Sequence, residues 1–155
     1  MSVKKILFPT DFSPASEAVL RHATALARGN NAQVLILHVE EPPLAYGGGE
    51  LFYGVGEINT DALQKMLEKI VPPDPAVPVT RRIVMGDPAT EIPRIAKEEN
   101  VDLIVMGTHG RTGLSRLLMG SVAELVVRRA HCAVLTVRQP DSTPEIDPEV
   151  ARSGF

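Results

Sequence analysis

Five short apolar runs alternating with four amphipathic stretches predict a parallel, doubly wound α/β sheet. Three observations carry that expectation. The runs at 6–8, 34–37 and 103–106 are unbroken by polar residues, as strands buried on both faces are. Between runs, apolar residues recur at the three- and four-residue spacing of a helix face. A chain of 155 residues fits one domain of ordinary size with a single core.

The elements follow in order. The first strand, Ile6-Leu7-Phe8, closes at the break Pro9-Thr10-Asp11. A helix follows with Ser13 as its cap and Pro14 at its first position, carrying Ala15, Ala18, Val19, His22, Ala23, Leu26 and Ala27 on one face. Gly29-Asn30-Asn31 stops it near Arg28. The second strand runs from Val34 towards His38 and Val39. Residues 40–58 hold two adjacent prolines, five glycines and scattered aromatics, which predicts a long irregular loop and a candidate lid.

Leu63, Met66, Leu67 and Ile70 mark a second helix, stopped by Pro72-Pro73. The half-polar run at 79–84 suits a strand at a sheet edge. A third helix turns Ile92, Ile95 and Ala96 inward, and because Pro93 fits best in a first turn, Thr90 is its expected cap. After the fourth strand, Ser121 and Glu124 match a capping box that opens a helix through Val122, Leu125 and Val126 to Arg128 and Arg129. Ala133–Val137 is the fifth strand, expected at the other sheet edge. Residues 1–138 therefore form the domain, and 139–155, with three prolines and no periodicity, an acidic disordered tail. Met66, Met85, Met106 and Met119 read as core filling, and Cys132 as a small core residue.

Composition excludes several classes of function. With 44% hydrophobic and 23% charged residues and a mean hydropathy of +0.04, the chain reads as soluble and globular. No apolar run approaches the roughly 18 residues that span a bilayer. The opening segment is too short for an export signal, and one cysteine forms no internal disulfide, so a cytoplasmic protein is expected. Net charge is −3, with four acids against one arginine in 139–155, leaving 1–138 with 15 acids against 15 bases. A neutral body lacks the basic excess that drives binding to a nucleic-acid backbone.

Chemistry concentrates after the fourth strand, in Gly107-Thr-His-Gly110-Arg-Thr-Gly113-Leu-Ser-Arg-Leu-Leu-Met-Gly120-Ser121. This is neither a Walker A loop nor G-x-G-x-x-G. Glycines nevertheless let backbone N–H groups approach an anion, and a helix amino terminus at Ser121 adds unpaired donors and a positive dipole. In doubly wound sheets ligands bind beyond the carboxyl ends of the strands where strand order reverses. If the first and fourth strands are the central neighbours, that crevice lies between Pro9-Thr10-Asp11 and this loop.

The spacing Gly107-x2-Gly110-x9-Gly120-Ser121, the opening Lys4-Lys5-Ile6-Leu7-Phe8-Pro9-Thr10-Asp11 and the Met85-Gly86-Asp87-Pro88 turn resemble the ATP-binding branch of the universal stress protein family. The resemblance implies a flavodoxin-like, Rossmann-like domain with strand order 3-2-1-4-5, binding ATP or a related adenine nucleotide such as AMP or cyclic AMP, with Mg²⁺ or Mn²⁺ as a companion. It puts Pro9, Thr10 and Asp11 at the adenosine, with the Asp11 carboxylate on the ribose hydroxyls and the Val39 backbone on the adenine edge. Gly107, His109, Gly110, Gly120, Ser121 and Val122 would hold the phosphates, with Arg111 and Arg116 as further partners. It also implies a homodimer formed by antiparallel pairing of the last strands.

Plainer readings stand beside these. The glycines suit turns, Asp11 suits a turn or cap, and loop arginines are commonly just solvated. His109 lacks partners at metal-ligand spacing, since His22, His38 and His131 lie far from it in sequence. No catalytic base is evident, which favours a nucleotide-binding regulatory protein over a slow ATP hydrolase or phosphotransferase. A purely structural module that binds no nucleotide is the third reading.

Overall fold

The computed structural model describes residues 1–42, 44–47, 50–53, 58–109 and 119–138. The elements are β1 (Lys5–Pro9), α1 (Ala15–Asn30), β2 (Gln33–Glu40), β3 (Leu44–Gly47), β4 (Glu50–Tyr53), α2 (Thr60–Glu68), β5 (Val79–Met85), α3 (Pro88–Glu98), β6 (Leu103–Gly107), α4 (Ser121–Arg129) and β7 (Ala133–Val137). Five of the strands form one parallel sheet in the order β5-β2-β1-β6-β7. Counting only these five in chain order, that is 3-2-1-4-5, the flavodoxin-like arrangement.

Side chains alternate between two apolar layers because successive residues of a strand point to opposite faces. Ile6, Phe8, Val34 and Ile36 pack with Val19, Ala23 and Ala27 of α1 and Leu67 of α2. Leu7, Leu35, Leu37 and Ile104 pack with Ile92, Ile95 and Ala96 of α3 and Ala123 and Val126 of α4.

Strand order reverses at β1, and the register shows where the sheet opens. β1 pairs with β6 only at Ile6↔Leu103 and Leu7↔Ile104, whereas it follows β2 as far as Pro9↔Leu37. β6 meanwhile continues along β7 to Gly107↔Val137. The two central strands therefore part beyond Leu7, and a crevice forms at their carboxyl ends.

Several local expectations are corrected. Pro14, not Ser13, is the N-cap of α1, with no side-chain capping bond; the Ser13 carbonyl instead accepts from the Ser16 amide and hydroxyl. The helix runs through Gly29, and Asn31 takes the left-handed stop at φ 51°. Asp87, not Thr90, caps α3, accepting from both the amide and the hydroxyl of Thr90. Pro93 thus lies inside the helix, and the loss of its N–H is outweighed by the cap and by burial of Ile92, Ile95 and Ala96.

Gly120, not Ser121, is the N-cap of α4, so the capping box does not form; Glu124 pairs with Arg128 instead. Of the four methionines read as core, only Met106 is buried; Met66 on α2, Met85 at the end of the edge strand β5 and Met119 before α4 are exposed, positions that apolar character alone does not distinguish from the core. Residues 40–58 are not wholly irregular. β3 and β4 pair antiparallel from Leu44↔Tyr53 to Gly47↔Glu50, with Gly48-Gly49 between them in sequence. The tail at 139–155 lies outside the described residues.

At the end of the sheet remote from the crevice, Asp102 Oδ2 accepts from the amides of Lys4 (2.8 Å) and Lys5 (2.9 Å). These bonds hold the Asp102 carboxyl below its ordinary range. A carboxylate depressed on folding stabilises above its unfolded pKa of about 3.9 and loses that contribution as pH falls through the folded value. Asp102→Ala should therefore cost about 1 kcal/mol near neutral pH, the low end for a partly exposed charged acceptor. Thermal unfolding across pH should show the gap to wild type closing as pH falls below about 4; a gap independent of pH would refute the assignment.

Candidate functional site

The crevice is a cavity of about 500 Å³, within the range of small-molecule sites. Its first wall is the turn after β1. The Thr10 amide donates to the Leu37 carbonyl (2.8 Å), extending the β1–β2 ladder by one bond. The chain then leaves the sheet. The Phe12 amide donates to Thr10 Oγ1 (3.1 Å), and the Ser13 amide to Asp11 Oδ1 (2.9 Å). Phe12 has φ 63°, the left-handed region, which costs a non-glycine residue about 1–2 kcal/mol. Its ring lies on that of His38, with centroids 4.2 Å apart.

The second wall is the end of β2. Leu37 turns its carbonyl to β1, and two residues on, Val39 turns its backbone N–H and C=O to the same side. β1 has left the sheet at that level, so these groups face the crevice. The Glu40 carbonyl, on the other side, accepts from the Gly86 amide (2.9 Å).

The third wall joins β6 to α4. The Thr108 amide donates to the Val137 carbonyl (3.2 Å), and its carbonyl accepts from the Gly120 amide (2.6 Å). This closes the base of the loop. A Cβ on Gly120 would stand 3.0 Å from that carbonyl, a tight contact that glycine avoids. A Cβ on Gly107 would meet only ordinary contacts at 3.5 Å, so the chain itself does not demand glycine at that position. The first intrahelical bond of α4 runs from the Glu124 amide to the Gly120 carbonyl (3.0 Å). The N–H groups of Ser121, Val122 and Ala123 precede it, have no partner within the helix, and belong to residues that line the cavity. With the helix dipole they make this end of the cavity a place for negative charge.

Pro9, Thr10, Asp11, Val39, Gly107, His109, Gly120, Ser121 and Val122 thus gather around one cavity. Gly110, Arg111 and Arg116 lie outside the described residues. His109 Nδ1 contacts the Thr108 hydroxyl at 3.0 Å. Because Gly120 takes the cap position, the Ser121 hydroxyl is not committed to capping. Among the described residues no group of three or more His, Cys, Asp or Glu could hold a metal ion, and no helix is long and apolar enough to cross a membrane. Cys132 is partly buried among the α3–α4 layer, and burial pushes its thiol pKa up.

Sequence reasoning missed His38 and Glu40, which also line the cavity. His38 is 3% exposed, with Nδ1 2.8 Å from the Thr10 carbonyl and Nε2 2.7 Å from Glu40 Oε2. A histidine near the end of an otherwise apolar buried strand was the available signal.

A family model described as the universal stress protein family matches residues 2–138. The chain belongs to the universal stress protein family. Among its relatives is universal stress protein MJ0531 of Methanocaldococcus jannaschii, 39% identical over 144 residues, covering 88% of this chain and 83% of that protein. Universal stress protein MJ0577 of the same organism is 35% identical over 157 residues, covering 90% of this chain and 97% of its own. A solved structure of MJ0577 superposes with a TM-score of 0.67 at 33% identity over 92% of this chain and 100% of that one. A further universal stress protein, solved in complex with cAMP, shares the fold with a TM-score of 0.66 at 24% identity, covering 89% of this chain and 98% of that one.

Proposed function

We propose that this universal stress protein is an ATP-binding regulatory protein of the family's ATP-binding branch, acting in the stress response in the cytoplasm. One arrangement carries the reading. The backbone of Val39, the Pro9-Thr10-Asp11 turn, and Gly107 with the amino terminus of α4 follow one another across β2, β1 and β6 along a single cavity. An adenine nucleotide matches that series. The base edge meets the Val39 N–H and C=O, and the ribose hydroxyls meet the Asp11 carboxylate, a group that accepts when ionised. The phosphates meet the N–H groups of Ser121, Val122 and Ala123, with Gly107 leaving room and His109 and Gly120 beside them; Gly110, Arg111 and Arg116, outside the described residues, are the further partners the family resemblance implies. ATP, AMP or cyclic AMP shares this adenosine end, and Mg²⁺ or Mn²⁺ would accompany the phosphates. That a relative has been solved with cAMP supports the same class of ligand.

Binding is tested by calorimetric titration with ATP, AMP and cyclic AMP. Without Trp and with two Tyr, the purified protein absorbs weakly near 280 nm, so retained adenine would also dominate its spectrum at 260 nm. Failure of all three nucleotides to bind would overturn the reading.

Slow turnover is the expected companion. Hydrolysis needs a water held in line and charge on the terminal phosphate neutralised. Asp11 is committed to the ribose end in this reading, and the ring of His109 lies against the Thr108 hydroxyl through Nδ1. Phosphate release with Mg²⁺ or Mn²⁺ should stay far below the median enzyme turnover of about 10 per second. Sustained turnover near that rate, abolished by His109→Ala with binding preserved, would favour the alternative of an ATP hydrolase or phosphotransferase. The remaining part of the proposal is a homodimer formed through the open edge of β7, where Leu135 is 39% exposed.

A further inference from the structure

We propose that His38 is a positioning residue of the nucleotide site, with Glu40 orienting it, and that its Nδ1–H sets the Pro9-Thr10-Asp11 turn by holding the Thr10 carbonyl. The inference rests on the proposed nucleotide reading and adds to it a residue that touches the turn rather than the ligand.

Beyond Pro9, β1 has lost β6 as a neighbour, and only β2 can hold the outgoing chain. The Thr10 peptide is held by β2 on both sides, its N–H on the Leu37 carbonyl and its C=O by the His38 ring. Thr10 is 6% exposed, so without the ring its carbonyl would be a buried acceptor lacking this donor. Immediately downstream come Asp11 and the left-handed Phe12, whose ring packs at a tilt against that of His38. A displacement of the Thr10 carbonyl therefore moves the Asp11 carboxylate and releases Phe12 together.

Hydrogen-bond chemistry fixes which nitrogen does the work. A carbonyl oxygen only accepts, so Nδ1 carries a hydrogen. The 2.7 Å contact between Nε2 and Glu40 Oε2 holds a hydrogen between them and fixes the ring plane. Both ring nitrogens are thereby engaged within the protein, which suits a strut and not a ligand contact or a base.

Two substitutions of similar polarity separate the ring's two ends in the full-length protein. The amide nitrogen of asparagine reaches the Nδ1 position, and that of glutamine the Nε2 position. His38→Asn should keep ATP affinity within about threefold of wild type, whereas His38→Gln should weaken it about tenfold, the worth of one buried hydrogen bond. In the ligand-free protein, amide hydrogen exchange at Thr10 and Phe12 should accelerate by a similar factor of about ten in His38→Gln and return towards wild type in His38→Asn, with α3 unchanged in both. Equal impairment of the two variants, or wild-type exchange and affinity in His38→Gln, would overturn the proposal. If wild type binds no adenine nucleotide, the functional reading fails, and the ligand-free exchange rates still decide the role of His38.

Discussion

Ser121→Pro is expected to weaken ATP binding by about 10–100-fold while leaving the fold intact, the range given by losing one or two hydrogen bonds to a charged acceptor. The substitution is unusually clean because of where Ser121 stands. It is the first residue of α4, a position whose N–H has no helical partner and where proline's fixed φ suits the helix. Gly120 before it has φ −62° and ψ 153°, the extended backbone that a residue preceding proline adopts. The Gly120 amide bond to Thr108 and the Glu124 amide bond to Gly120 are both untouched. One N–H and one hydroxyl are therefore deleted at the phosphate end of the cavity and little else changes. Ser121→Ala removes the hydroxyl alone and divides the two contributions. Calorimetric titration of folded variants reads the effect; full ATP affinity in a folded Ser121→Pro protein would remove α4 from the site.

Thr136→Pro is expected to convert the proposed homodimer to a folded monomer. The Val137 carbonyl accepts from Thr108, which follows β6, so the backbone groups of Val137 face inward. Alternation by two then turns those of Leu135 inward as well and those of Thr136 to the open edge. Proline at 136 deletes an edge donor that a second chain would use, and leaves the β6–β7 ladder in place. Leu135→Pro removes an inward ladder donor instead and should destabilise the sheet, with loss of the edge strand. Light scattering at micromolar concentration distinguishes these outcomes. A monomeric wild type, or a Thr136→Pro dimer, would refute pairing through β7.

Strand apolarity made the sheet legible. Runs such as Ile6-Leu7-Phe8 and Leu103-Ile104-Val105-Met106 can be buried on two faces and in little else, and alternation with helices forces parallel crossovers. Helix starts were less legible, since Ser13, Thr90 and Ser121 are all competent caps and Pro14, Asp87 and Gly120 took the position. Cap choice depends on where the preceding strand releases the chain. At Ser121 that release is set by the Gly120 amide bond to Thr108, which no local pattern encodes.

The sequence by itself determined the class of sheet, the two strand exits that line the cavity, and the motifs whose resemblance pointed to the family. Those depend on local composition and spacing, which persist in any conformation. Only the tertiary structure decided that β1 and β6 part beyond Leu7, that Val39 presents its backbone to the resulting crevice, and that His38 reaches across to the Thr10 carbonyl. The last contact joins residues 28 apart in sequence. It exists because β1 and β2 lie side by side, and strand adjacency is a property of the assembled sheet.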